Sequence, residues 1–140
     1  MKILLILLTL ISFNTYCLEW KLEYQEDTYN YKLFANDKNF TMFHPSASGT
    51  PKITRVQNHE NLDIIVINMG EMGTQCLVLI QNAFIFDKNN GKFLGEFPFQ
   101  RVNKDDSSKS CNTKKVVWKY NKNKIEIVDK NTDSKFSVDF

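Results

Sequence analysis

The chain has 140 residues, with 18 Lys and Arg against 16 Asp and Glu and a formal charge of +2 at pH 7. The two signs are interspersed, so no basic field exists to track a nucleic-acid backbone, and nucleic acid is excluded as an expected partner. Two histidines and three cysteines leave little material for a metal centre or a nucleophile–base pair.

Met1–Cys17 sets one lysine before an apolar core, Ile3–Ile11, and then small and polar residues. That is the layout of a secretory signal peptide. The core is too short to anchor in a bilayer, which takes about 20 apolar residues. Thr15 and Cys17 are small enough for the two positions a signal peptidase reads. Tyr16 before Cys17 argues against lipidation there. Residues 18–140 are then one domain by length, of about 123 residues and a charge of about +1. The expected location is periplasmic or secreted, with no stable membrane insertion once the signal is removed. Cys76 and Cys111 remain, and an oxidising compartment predicts a disulfide between them.

Leu18, Trp20, Leu22 and Tyr24 alternate with Glu19, Lys21 and Glu23, and Tyr29, Tyr31 and Leu33 alternate with Asn30 and Lys32. Period two with a short polar break predicts a first hairpin with one wet face. Asn36–Asn39 reads as a turn and Phe40–Phe43 as a third strand. His44–Pro51 holds two prolines and a glycine and reads as a surface loop or a crossover. Lys52–Val56 is extended, Gln57–Asn61 a polar turn, and Leu62–Met69 a β-branched run belonging in mid-sheet. Gly70–Gly73 is a turn with room for a strained backbone.

Thr74–Phe99 holds the densest apolar content and reads as two or three buried strands. Ala83–Phe86 is apolar on both faces, which predicts a central strand or a sandwich core. Asp87–Lys92 reads as a solvated turn tip, because Asn90-Gly91 tolerates φ > 0 at two successive positions. Gly73-Thr74-x-Cys76, followed by Ile85-x-Asp87-x-x-x-Gly91-Lys92, resembles small exported bacterial β-proteins of unknown activity. Those carry a Gly-Thr-x-Cys turn and an Asp-x-x-Thr-Gly-Lys hairpin. This chain has Asn90 where that pattern often has Thr, and Glu71 where a second cysteine often stands. The resemblance spans about twenty residues and implies a β fold and export only.

Gln100–Ser110 is the most polar stretch and reads as a surface loop ending at Cys111. Val116–Tyr120, Ile125–Val128 and Phe136–Phe140 predict a closing three-stranded meander, with turns at Asn121–Lys124 and Asp129–Ser134. The sum is an all-β antiparallel sandwich or partly open barrel of eight to ten strands.

Neither histidine has a supporting constellation, so no catalytic residue, metal ligand or cofactor is assigned and the chain is read as a non-enzyme. A carboxylate pair such as Asp63 with Asp87 would need the fold to join it. Trp20, Tyr24, Tyr29, Tyr31, Trp118 and Tyr120 are binding candidates by type, though alternation with polar residues puts most in a core. The loops His44–Pro51 and Gln100–Ser110 are the expected interaction edges. The partner-binding set is therefore His44, Arg101, Lys104, Trp118 and Tyr120, and the expected partner a protein. The favoured function is a non-catalytic binding protein of a bacterial envelope, of the inhibitor or immunity type, against a wall hydrolase. The alternative is a small-ligand or lipid binder using a barrel interior, and a hydrolase comes third.

Overall fold

A computed structural model describes residues 18–73, 76–104 and 113–140. The expected signal segment, Thr74 and the stretch holding Cys111 lie outside the described residues. Ten antiparallel strands form three sheets, and no helix occurs among the described residues. The first sheet is β1 (Lys21–Gln25), β2 (Asn30–Phe34) and β3 (Phe40–Phe43). The second is β4 (Lys52–His59), β5 (Leu62–Met72), β6 (Val78–Asp87) and β7 (Phe93–Asn103). The third is β8 (Val116–Asn121), β9 (Lys124–Asp129) and β10 (Ser134–Asp139). Strands adjacent in sequence are neighbours in every sheet.

The four-stranded sheet is the middle layer, and β5 shows why. Leu62, Ile64 and Val66 pack with Ala83, Ile85, Ile125, Ile127 and Val138 on one face. Ile65, Ile67 and Met69 pack with Phe84, Phe86, Trp20, Leu33 and Phe43 on the other. A half-wet strand alternates apolar and polar residues, whereas a strand covered on both sides must be apolar throughout. Removing each Ile or Phe from water contributes about 1.5–3 kcal/mol, so both outer sheets are held by transfer energy. The sheets are not closed into a barrel, and side chains fill the space between layers. The barrel interior expected as a ligand site is therefore replaced by two packed cores.

Three other expectations are corrected. The turn expected at Gln57–Asn61 shrinks to Glu60 and Asn61, and β4 runs on to His59. Gln100–Asn103 is not loop but the end of β7, paired to β6 down to Val78↔Asn103. Polar side chains there read as loop, yet an edge strand tolerates them. Asn90-Gly91 does not take φ > 0 at both residues, since only Gly91 does, at 74°. The Asp87 carboxylate accounts for this: it accepts the Asn89 amide at 2.8 Å and Asn90 Nδ2 at 2.9 Å and winds a longer turn.

The His44–Pro51 segment is fastened rather than loose. Ser48 and Glu71 exchange backbone hydrogen bonds of 3.1 and 2.9 Å, and Ser48 Oγ donates to the Glu71 carbonyl at 2.8 Å. Gly70, at φ 114°, permits this clasp, because a Cβ there would stand 2.2 Å from the Ser48 carbonyl oxygen. The turn expected at Gly70–Gly73 does not form there, because β5 runs on to Met72 past a bulge between Asn68 and Gly70. Gly70 and Gly73 take positive φ, which glycine adopts without strain.

Candidate binding cleft

The middle and third sheets do not close against each other along their whole length. Between β4, β7 and β8 they leave an open cleft of about 720 Å³. Arg55 and Gln57 enter from β4. Phe99, Gln100 and Arg101 enter from β7. Thr113–Val116, Trp118 and Tyr120 supply the third wall.

Bulges deliver these side chains. In β4 the register passes from Ile53↔Ile67 to Arg55↔Val66, so Thr54 is an extra residue. Its hydroxyl donates to the Val66 carbonyl at 3.2 Å. Without it, Arg55 would share the face of Ile53, which packs toward the first sheet. With it, Arg55, Gln57 and His59 turn toward the third. In β7 the register passes from Asn82↔Pro98 to Gln81↔Gln100, making Phe99 extra. Two successive residues, Phe99 and Gln100, thus front one cleft.

The floor is aromatic. Phe99 and Trp118 meet edge to face at 5.5 Å, and Trp118 lies 6.0 Å from Tyr120. Trp118 Nε1 donates to the Pro98 carbonyl at 3.1 Å, which fixes the indole. Gln57 Nε2 donates to the Tyr120 hydroxyl oxygen at 3.0 Å, leaving the phenolic proton for another acceptor. Burial raises the Tyr120 pKa, opposed by that hydrogen bond and by the Arg55 charge.

The rim is cationic. The Arg55 guanidinium lies 5.6 Å over the Phe99 ring, a cation–π placement that spreads it along the floor. Arg101 Nη1 donates at 3.2 Å to the Gln81 carbonyl, Asn82 Oδ1 and the Gln100 carbonyl. Burial lowers the Arg101 pKa, opposed by the charges of Asp129 and Glu96, and a guanidinium keeps its proton in proteins. Lys114 and Lys115 complete the rim, and among the described residues no carboxylate lines the cleft. Asn131 holds their backbone: its Oδ1 accepts the Lys114 amide and its Nδ2 donates to the Lys114 carbonyl, both at 2.7 Å.

The structure brings together three of the five expected partner-binding residues, Arg101, Trp118 and Tyr120. Lys104 instead pairs with Glu71. His44 follows β3 on the surface and is outside the cleft. Among the other aromatic candidates, Trp20 is buried, Tyr31 packs against the first core, and Tyr24 and Tyr29 are exposed elsewhere. His59 is not a solvated turn residue. It ends β4, 4.9 Å from the Tyr120 ring and 5.8 Å from Phe140. The suggested Asp63–Asp87 pair does not form: Lys88 is 3.8 Å from Asp63, and Asp87 serves its turn. The Cys76 sulfur is engaged rather than free, and the expected pairing with Cys111 extends outside the described residues.

Arg55, Gln57 and Phe99 were not singled out by sequence. The one available signal in β4 was Ile53 and Val56 standing three apart, a spacing strict alternation does not allow. Comparison with known protein families, curated proteins and solved structures finds no match. No helix among the described residues is long and apolar enough to cross a membrane.

Proposed function

We propose that the protein is an exported, non-catalytic binding protein of a bacterial envelope that holds an acidic protein partner in this cleft. The inhibitor or immunity-type role against a wall hydrolase is the form we favour. The supporting observation is a rim of four cations, Arg55, Arg101, Lys114 and Lys115, over an aromatic floor, with no carboxylate among the described lining residues. Arg, Trp and Tyr carry most of the energy of protein contacts, and unlike charge steers the encounter. Export follows from the layout of the first 17 residues, and we propose a Cys76–Cys111 disulfide on the same ground.

The test is capture from a periplasmic extract by the protein and by an Arg55→Glu/Lys115→Glu variant. A partner retained by the first, lost by the second and weakened by added salt is the expected result. Recovery of no partner, or of the same partners by both, overturns the proposal. A second reading has its own support: about 720 Å³ suits a small anionic ligand. Native mass spectrometry of the freshly isolated protein separates the two, since a retained small ligand adds a discrete mass below ~1 kDa.

A further inference from the structure

Among the described residues β8 is the outermost strand of the third sheet, with β9 on one side only. Its register shows which main-chain groups remain. Asn121↔Lys124 closes a two-residue turn, so Asn121 is bonded to β9. At the other end the Lys130 amide donates to the Lys115 carbonyl at 3.2 Å. Residues 115, 117, 119 and 121 therefore face β9, and Val116, Trp118 and Tyr120 turn their N–H and C=O groups outward. Those same three residues line the cleft. β7, across the gap, does not complete the sheet, because Pro98 has no N–H and its carbonyl is taken by the Trp118 indole.

We infer that the cleft takes an extended acidic segment of the partner polypeptide, added as a strand to the outer edge of β8. This rests on the protein-binding reading above. Main-chain bonds to Val116, Trp118 and Tyr120 would supply the affinity. Acidic side chains at every second position, about 6.6 Å apart, would reach the cations of the rim. Charge complementarity selects this occupant, since an apolar or basic strand would strand or repel Arg55, Arg101 and Lys115.

The test titrates the full protein with a synthetic heptapeptide of alternating Glu and Val, read by calorimetry and amide NMR. Saturable binding with shifts at Val116, Trp118 and Tyr120 is expected. N-methylation of every second peptide amide, in the register that faces β8, should weaken binding at least tenfold, and methylation in the other register should not. Val116→Pro removes an outward donor at the start of the strand, keeps the β9 ladder, and should weaken the parent peptide likewise. Equal binding of both methylated peptides and the parent overturns strand addition. So does binding of an anionic glycan fragment where the peptide fails. In either case the extract capture can still succeed, and the wider reading then stands. Undiminished peptide binding by Arg55→Glu/Lys115→Glu overturns both.

Discussion

Asp63 is buried beside Phe86, and the Lys88 ammonium at 3.8 Å is its one ion-pair partner among the described residues. Burial raises its pKa above 3.8, and the Lys88 charge only partly lowers it again. A carboxyl whose folded pKa exceeds its unfolded one favours the folded state while protonated. That contribution is full below pH 3.8 and is lost as the pH rises through the raised folded value. Asp63→Asn should therefore gain stability relative to the parent between acid and neutral pH, measured as the difference in urea midpoint across that range. A constant difference would show that Asp63 carries no such linkage. At Gly70 the constraint is steric. Gly70→Ala must relieve a 2.2 Å contact with the Ser48 carbonyl in a backbone region that L-residues avoid. A cost of about 2–3 kcal/mol is expected, with loss of protection at the Ser48 amide in hydrogen exchange.

β5 separates the two cores at single-residue resolution. Ile64 faces the third sheet and Ile65 the first, and both are fully buried. Either change to Ala should cost about 2–5 kcal/mol in chemical denaturation. Hydrogen exchange should then tell them apart: Ile64→Ala should loosen β8–β10, and Ile65→Ala should loosen β1–β3. Loss of protection in the same strands for both would contradict a three-layer stack. The strands were legible in the sequence because their side chains follow the period of two, from Leu22 to Val138. The all-apolar run in β5 and in Ala83–Phe86 announced a doubly covered layer. The bulges were not legible. Thr54 and Phe99 are ordinary strand residues, and only the register of the neighbouring strand reveals them as extra. For the same reason Gln100–Asn103 read as loop: their polarity is that of an edge, and an edge is a property of the sheet.

At the scale of the molecule, the cleft gathers side chains from positions 55 to 120, so its composition exists only after β4, β7 and β8 have been brought together. Arg101, Trp118 and Tyr120 could be named by residue type, whereas Arg55 and Phe99 needed the bulges. One feature ties distant parts of this assembly. The Lys104 amide donates to the Leu77 carbonyl at 3.0 Å, which seats the end of β7 beside the residue that follows Cys76. Cys111 stands seven residues after Lys104, and seven extended residues reach about 23 Å, ample to return to Cys76. The proposed bridge closes a loop of 36 residues counting both ends. In the chain-entropy view, closing a loop of that length restricts the unfolded ensemble by about 3–4 kcal/mol. The unreduced protein should then show no free thiol from Cys76 or Cys111 by titration in denaturant. Reduction should lower its unfolding free energy by about that amount, and a Cys76→Ser/Cys111→Ser variant should match the reduced protein and be indifferent to reductant. Two titratable thiols in the unreduced protein would remove the bridge. Stability of the stack would then rest on the two apolar layers around β5 and β6 alone.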